Sequence, residues 1–500
     1  MRHLRRLVGV LVALGLVLAQ AACSTPSRDD GADTLVIGAT AAPSTLDMTS
    51  NAAAAIAQVL LYNVYETLLK VDDSGHLVPL LATRWTSTPD GLHHTFHLDP
   101  AAHFASGHPV DAAAVVASLD RLRTKGTPVI QSQLAAVTAV RAVDAHTVTL
   151  DLKHPDNFLL LNLAGSAGII IDPTSRTPLA TTPAGSGPFV VTRFQPGHAV
   201  HLAASPRPWH QPASVRKVEF LYFTDPTPET AALMSGDLDV VTDLTTPQAL
   251  SRFEDHSRYT VLRGTTNGEV VMGMNNQAPA LKDARVRRAI IMAVDRKGLM
   301  DAVTNGQGTL IGSMVPPTDP WYTDLSTRWS YDPAAARRLL AAAGYAHGLT
   351  LRLRVPTLPY ATMAARIIAS DLQQVGITVV TDELEFPARW LDAVYTRADY
   401  DLTVIAHVEP RDIVNWALPT YYWRYDNKAF QKLIIEATTG PADRTDALMR
   451  QAARILADDA ASDFLYLMPK VTVARRGVTG LGHNATSLSF DLTAVKAVPR

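Results

Sequence analysis

Residues 80–119 read LLATRWTSTPDGLHHTFHLDPAAHFASGHPVDAAAVVASL, and this stretch decides the fold. The pair Asp90-Gly91 predicts a turn, and the alternation from Leu92 to Leu98 predicts the strand that follows it. Asp111 is placed to cap a helix over Ala112–Arg123. A strand followed so closely by a capped helix indicates a mixed α/β protein.

The same alternation continues on both sides of this stretch. Helical spacing of apolar residues predicts a helix over Ala52–Leu69, and Asp283 is placed to cap a long helix over Ala284–Val303. Strands are expected at Leu349–Val355 and Tyr400–Ala406. Because strands and helices alternate in both halves of the chain, we expect two α/β lobes.

The composition narrows the class of function. The chain has 500 residues, of which 47% are hydrophobic and 18% charged, as in a packed globular protein. A formal net charge of −2 gives no general attraction to nucleic acid, so none is expected as a partner. The motifs Gly-x-Ser-x-Gly, His-Glu-x-x-His and the P-loop do not occur, which leaves a secreted enzyme as the weakest alternative.

The first thirty residues have the pattern of a bacterial lipoprotein signal. Three arginines precede the apolar run Leu7–Ala19, which is too short to span a bilayer comfortably. Small residues then lead directly to Cys23, the one cysteine of the chain. We expect residues 1–22 to be a signal peptide, Cys23 to be lipidated, and residues 23–32 to form a flexible tether. The mature protein would then be anchored on the extracytoplasmic face of the cell membrane.

A local group of histidines raises the question of a metal site. Five histidines fall within sixteen residues, namely His93, His94, His97, His103 and His108. On a strand, His93 and His97 share a face but lie about 13 Å apart, too far to bind one ion. We therefore expect solvated surface histidines and predict neither a metal site nor a cofactor.

Several segments together resemble the family 5 solute-binding proteins of ABC importers, a group that includes dipeptide-, oligopeptide- and nickel-binding proteins. The deciding stretch carries the family pattern, and other matching blocks occur in order along the chain. They are Tyr65-Glu66-Thr67-Leu68-Leu69, Leu81-Ala82, Trp85, Phe96, Phe104, Gly107, Pro109, Gly185-Ser186-Gly187-Pro188-Phe189, Trp209, Ser235-Gly236-Asp237-Leu238-Asp239, Asn275, Asp283–Ile290 and Tyr331-Asp332-Pro333. Trp85, Phe96 and Phe104 are expected in the core.

The resemblance implies an α/β, two-lobed, periplasmic-binding-protein-like fold of type II, with a hinge between the lobes and an inserted subdomain in lobe 1. Lobe 1 would comprise residues 33–270 and 475–500, with the insert at about 76–200, and lobe 2 would comprise residues 271–474. The expected partners are a small-molecule ligand, with a peptide favoured, and ABC permease subunits with their cytoplasmic ATPases. The protein would act as a monomer.

By resemblance, the segment after the strand Tyr400–Ala406 lines the cleft between the lobes. Its aromatic and charged residues suit ligand contact. The predicted ligand-binding residues are His407, Glu409, Arg411, Asp412, Trp416, Tyr421, Tyr422 and Trp423, together with Asn275.

The segment leaves the ligand open. Peptide binders of the family carry an aspartate directly after this strand, whereas this chain has His407 there, so Glu409 or Asp412 would have to substitute. Nickel-chelate binders use arginines on the insert and a histidine on this loop, where this chain has Asp99 and Tyr421. Arg411 offers a third possibility, a fork for the carboxylate or phosphate of another solute. A fourth is a sensor or envelope scaffold that no longer transports.

Overall fold

The structure, a computed structural model, describes residues 34–498, so Cys23 and the predicted signal peptide lie outside the described residues. The strands are β1 (Thr34–Ala39), β2 (Leu69–Val71), β3 (Leu77–Pro79), β4 (Ala82–Ser87), β5 (His93–Leu98), β6 (Val137–Asp144), β7 (Thr147–Leu152), β8 (Phe189–Gln195), β9 (Ala199–Ala204), β10 (Lys217–Tyr222), β11 (Val240–Val241), β12 (Tyr259–Met274), β13 (Thr309–Leu310), β14 (Leu349–Pro356), β15 (Ile377–Leu384), β16 (Leu402–His407), β17 (Asp463–Arg475), β18 (Val478–Thr479) and β19 (Lys496–Ala497).

The α-helices are α1 (Ala54–Leu60), α2 (Ala112–Lys125), α3 (Pro128–Gln133), α4 (Leu159–Leu163), α5 (Pro226–Ser235), α6 (Ala284–Ala293), α7 (Arg296–Thr304), α8 (Pro333–Ala342), α9 (Pro359–Gln374), α10 (Ala388–Trp390), α11 (Lys428–Thr439) and α12 (Thr445–Asp458). Within residues 34–498, no helix is long and apolar enough to cross a membrane.

One large sheet runs through the whole molecule, in the order β15-β14-β16-β12-β17-β11-β1-β10-β9-β8, with β13 paired to β17. The long antiparallel strands β12 and β17 connect its two halves. One half packs against a core that includes Leu35, Ile37 and Val218, and the other against cores around Leu353 and Trp416. The predicted alternation of strands and helices is confirmed in both halves.

The ladder between the connecting strands β12 and β17 is irregular at two places, between Val270 and Val271 and between Thr265 and Glu269. There the Thr266 hydroxyl donates to the carbonyl of Met468 at 2.9 Å and accepts the amide of Gly268 at 2.8 Å. Beyond this level, residues 473–474 of β17 pair with β11 of lobe 1. Residues 469–475 of β17 pair with residues 259–265 of β12 on the same side of this level.

A separate four-stranded sheet, in the order β4-β5-β7-β6, forms the insert. The insert was predicted to extend to about residue 200, but β8 and β9 pair into the large sheet, so the separate sheet ends with β7 at Leu152. Phe96 and Phe104 are fully buried, as predicted, and Trp85 is half-buried. His94 corrects the histidine prediction, because it faces the interior and hydrogen-bonds the Ser87 hydroxyl at 2.8 Å.

Two predicted helices are shorter than their apolar spacing suggested. The helix expected over Ala52–Leu69 ends at Leu60, and Tyr62 takes a left-handed backbone conformation with φ 65°. The helix expected over Ala284–Val303 breaks after Ala293, because Asp295 caps a second helix by accepting the Gly298 amide. The apolar residues on both sides of each break are buried. Their spacing is therefore the same before and after the break, and periodicity alone did not locate it.

The Gly185-Ser-Gly187-Pro turn explains the early end of α1. The amides of Gly187 and Phe189 donate to the carbonyls of Val64 and Asn63, at 3.0 and 2.9 Å. A Cβ atom on Gly185 would overlap the carbonyl of Val64. The chain after α1 is thus held in an extended path against a turn that tolerates only glycine.

We expect Gly185→Ala to lower the free energy of unfolding by about 1–3 kcal/mol, because the added methyl group has no room beside the Val64 backbone. Urea unfolding followed by circular dichroism measures the loss. Gly165→Ala is the matched control, since a Cβ atom there would meet its nearest neighbour at 3.5 Å. Equal stability of the two variants would contradict this packing role.

Candidate ligand-binding site

The carboxyl ends of the parallel strands locate a crevice between the lobes. In lobe 1, β1 runs parallel to β10 and β11, and in lobe 2, β14 runs parallel to β15 and β16. Strand β12 is antiparallel to both β16 and β17, and β17 is antiparallel to β11. The two sets of parallel strands therefore run towards each other, and both end at the level where β12 and β17 pass from one lobe to the other. Open α/β sheets bind ligands outside the carboxyl ends of their strands. Here two such edges face one another.

His407 is the last residue of β16 and so lies at this edge. Its Nδ1 is 2.8 Å from a carboxylate oxygen of Asp412, and its Nε2 is 2.7 Å from the Tyr422 hydroxyl. Because a carboxylate only accepts, Nδ1–H donates to Asp412, and the Tyr422 hydroxyl is the hydrogen-bond partner of Nε2. Asp412 also accepts from the Asn415 amide at 2.8 Å. The four side chains therefore hold one another in place.

A buried glutamate on the neighbouring strand lies beside this group. Glu269 opposes His407 across the ladder between β12 and β16 and is 1% exposed. Its Oε2 has no hydrogen-bond partner among the described residues. Burial, and next the charge of Asp412, raise the pKa of Glu269 well above its usual range, with Asp319 and Glu409 adding to the effect. Four carboxyl groups thus converge on one region.

This concentration of carboxyl groups suits a cation. Ligand atoms of His407, Glu409 and Asp412 lie within 4.8 Å of one another. Glu409 is exposed, whereas Asp412 is buried and His407 half-buried, so the group is reached from one side. An ammonium group could donate hydrogen bonds to these carboxylates, and the same oxygen and nitrogen atoms could bind a divalent metal.

Arg411, the possible fork for an anionic ligand, stacks on aromatic rings. Its guanidinium group lies over two of them, with its central carbon 4.5 Å from the ring centre of Phe158 and 5.0 Å from that of Trp321. Burial lowers its pKa, although Asp319 and other carboxylates oppose the shift. The side chain is held by stacking, and its Nε is buried without a hydrogen-bond partner among the described residues.

The four aromatic residues predicted to contact ligand differ in how far they are buried. Trp416 and Trp423 stack with their ring centres 4.6 Å apart and their planes 3° apart, and both are 1% exposed. Tyr422 is equally buried and reaches the site only through its hydroxyl group. Tyr421 is half-buried against Tyr422 and remains accessible. Of the four predicted contacts, the two tryptophans form part of the lobe 2 core.

Asn275 also lies away from this group. It follows Met274, which pairs with Leu402 at the opposite end of β16 from His407, about 16 Å away along five residues of strand. Its amide donates to the carbonyls of Ala398 and Tyr400, at 3.0 and 3.2 Å. The residue fastens the start of β16, and its role as a ligand contact stays a prediction.

Two contributors to this region were missed in the sequence. Glu269 directly precedes the apolar run from Val270 to Met274. A charged residue beside a buried strand is itself an indication of a functional site. Phe158 lies some 250 positions before Arg411, and nothing in the local pattern indicated that the two would meet.

Lobe 1 carries a buried carboxyl group near its own edge. Glu229 on α5 is fully buried beside Gly38 of β1, and neither carboxylate oxygen has a hydrogen-bond partner among the described residues. Burial, followed by the charge of Asp243, raises its pKa from the ordinary value of 4.5 to about 7.

We expect the free energy of unfolding to fall as the pH rises from about 4.5 to about 7, because folded Glu229 keeps a proton that the unfolded chain releases. Glu229→Gln should flatten part of this decline, which urea unfolding at a series of pH values would measure. Glu254→Gln, at an exposed position, is the control. A decline unchanged by Glu229→Gln would contradict the assignment.

Comparison with known proteins gives these features a context. The model of the family described as "Bacterial extracellular solute-binding proteins, family 5 Middle" matches residues 76–411. The probable D,D-dipeptide-binding periplasmic protein of Escherichia coli is 27% identical over 469 residues, covering 88% of this chain and 89% of that protein. The nickel-binding periplasmic protein of Escherichia coli is 25% identical over 342 residues, covering 63% of this chain and 64% of that protein.

Solved structures agree on the fold. The periplasmic binding protein DppA of Helicobacter pylori, in complex with the peptide STSA, superposes with a TM-score of 0.76 at 21% identity, covering 93% of this chain and 98% of that chain. The predicted α/β, two-lobed fold of type II is thereby confirmed.

Proposed function

Because the chain belongs to family 5 of the bacterial extracellular solute-binding proteins, we propose that it captures a di- or oligopeptide between its two lobes and delivers it to the permease of an ABC importer. Substrate binding for an ABC importer is the role of the family, and its relatives are transport proteins and not enzymes. The identity of the solute and the step of delivery are the proposal.

The observation that carries the proposal is the meeting of two carboxyl edges at one crossing level. A solute in the crevice contacts both lobes at once, so that closure of the lobes removes it from water. Within residues 34–498, only β12 and β17 carry the large sheet through this level, and their register change at Thr265–Glu269 provides a place to bend.

The carboxyl groups at the crevice support a solute with a positive charge. Family resemblance leads us to expect an aspartate directly after β16 to pair with a peptide's α-ammonium group. Here Asp412 is hydrogen-bonded to His407, the last residue of β16, and Glu409 lies in the same group. We assign the ammonium contact to Asp412 and Glu409, with Tyr421 flanking them. The similarity to the D,D-dipeptide-binding protein of Escherichia coli and to the Helicobacter pylori protein in complex with the peptide STSA favours the same class.

A metal chelate is the second candidate, and one observation favours it. The ligand atoms of His407, Glu409 and Asp412 are close enough together to bind one divalent ion. The nickel-binding relative makes this class relevant to the family. Against it, both nitrogens of His407 already have partners, so an ion would have to displace Asp412 or Tyr422.

The cellular setting is proposed from the sequence. The pattern before Cys23 supports lipidation of that residue and anchoring on the extracytoplasmic face of the membrane, beside the permease and its ATPases. We further propose that the protein acts as a monomer, with residues 82–152 as the insert of lobe 1 and the return from lobe 2 near Pro469.

Mass spectrometry of solute released from the purified protein tests the proposal. We expect peptides, which added back to stripped protein should raise its free energy of unfolding by about 2.7 kcal/mol at a hundredfold excess over Kd. Recovery of nickel with a small chelator would favour the second candidate. A protein that neither releases nor binds any solute would favour a sensor or scaffold.

A further inference from the structure

Asn157, in the segment between β7 and α4 of lobe 1, makes four hydrogen-bond contacts with lobe 2. Its backbone amide donates to the carbonyl of Thr438 at 2.9 Å. Its side-chain amide nitrogen lies 2.7 Å from the carbonyl of Ala437, 3.1 Å from that of Gly440 and 2.9 Å from the hydroxyl of Thr445.

These acceptors are the end of one helix and the start of the next. Helix α11 ends at Thr439, and the last four carbonyls of a helix have no partner within it. Asn157 supplies donors to that end from the other lobe, and its contact with Thr445 ties in the first residue of α12. The hydrogen bonds therefore form only when the two lobes are together.

Phe158 continues the contact towards the site. Its ring is 6.1 Å from that of Trp321, at an angle of 27°, and it packs against the lobe 2 core although its own neighbour Leu159 belongs to the lobe 1 core. Arg411 lies over both rings. In sequence, Arg411 stands between Glu409 and Asp412, so one loop bears both the interlobe contact and the charged group at the crevice.

On the basis of the proposed function, we propose that Asn157 and Phe158 form a clasp that holds the lobes closed and sets how long a bound solute stays. Asn157 is a positioning residue, since it acts on lobe closure and does not touch the group formed by His407, Glu409 and Asp412. A solute that orders the loop around Asp412 also orders Arg411, the surface on which Phe158 rests. Capture and clasping would then support each other.

The test separates release from capture. In stopped-flow measurements with a peptide identified from the purified protein, Asn157→Ala should raise the dissociation rate about tenfold and leave the association rate unchanged, because the hydrogen bonds are lost only from the closed state. Asn157→Asp, which keeps the size but removes the amide donors, should do the same. Asn162→Ala is the matched control, because that half-buried amide donates to the Gln133 carbonyl within lobe 1. Equal dissociation rates in all four proteins would overturn the clasp.

A second measurement needs no solute. With Cys23 replaced by serine, spin labels on cysteines placed at exposed Val143 of the insert and exposed Ile435 of α11 report the distance between the lobes. We expect Asn157→Ala to deplete the shorter, clasped distance in the unliganded protein. A wild-type protein that lacks this distance, or a distribution that Asn157→Ala leaves unchanged, would overturn the clasp. If the proposed function alone were wrong, peptides would fail to bind while this distance change persisted.

Discussion

Asp412→Asn is expected to weaken binding of a solute with an ammonium group about 10- to 100-fold. The substitution keeps the shape of the side chain and an acceptor for His407, but it removes the negative charge that the ammonium group would pair with. A hydrogen bond to a charged partner contributes about 1.5–3 kcal/mol, which corresponds to this range of affinity. Isothermal titration calorimetry with a released peptide measures the loss.

The control for Asp412→Asn is Asp443→Asn, at an exposed aspartate of the same lobe. Its affinity should match that of the wild-type protein. The two variants carry the same change in net charge, so a general electrostatic effect would weaken both equally. Wild-type affinity in Asp412→Asn, with the fold intact, would exclude this carboxylate from the solute contact.

Trp416→Ala is expected to lower the free energy of unfolding by about 3–5 kcal/mol. The side chain is 1% exposed and lies in the core of lobe 2. It stacks on Trp423, and its ring centre is 5.6 Å from that of Phe464. Truncation to alanine removes these contacts and leaves a cavity that neighbouring rings fill only in part. Urea unfolding followed by circular dichroism measures the change.

Tyr331→Ala is the control for this loss of stability, because Tyr331 is 48% exposed. A change within about 0.5 kcal/mol is expected there, as for most surface positions. If Trp416→Ala lowered the free energy of unfolding by as little as Tyr331→Ala, Trp416 would not be part of the core. A selective loss of solute binding with full stability would restore the sequence-based prediction that it lines the cleft.

Local chemistry made much of the fold predictable. Asp111 and Asp283 were expected to cap helices, and each accepts a backbone amide from the first turn of its helix. Such caps depend on a few neighbouring residues and can be read from sequence. The end of α1 depends on contacts with Gly185 and Gly187, more than a hundred positions away. The spacing of apolar residues along the chain does not reveal those contacts.

The site shows the same limit. A loop rich in aromatic residues predicts equally well a surface for ligand stacking and a packed core, because both require large apolar rings. Trp416 and Trp423 turned out to be core, whereas Glu409 and Tyr421 stay accessible. Glu269 joins the group from a strand 138 positions before His407, through a ladder register that only the folded sheet reveals. Long-range pairing, and not residue type, decides which side chains meet.

The central claim is that the crevice recognises a positively charged group on a peptide. A pair of thermal-shift titrations, one with a released peptide and one with the same peptide acetylated at its N-terminus, tests it most directly. We predict that the free peptide raises the melting temperature in a concentration-dependent way and that the acetylated peptide, which has no α-ammonium group, does not. Equal stabilisation by the two peptides would contradict the claim.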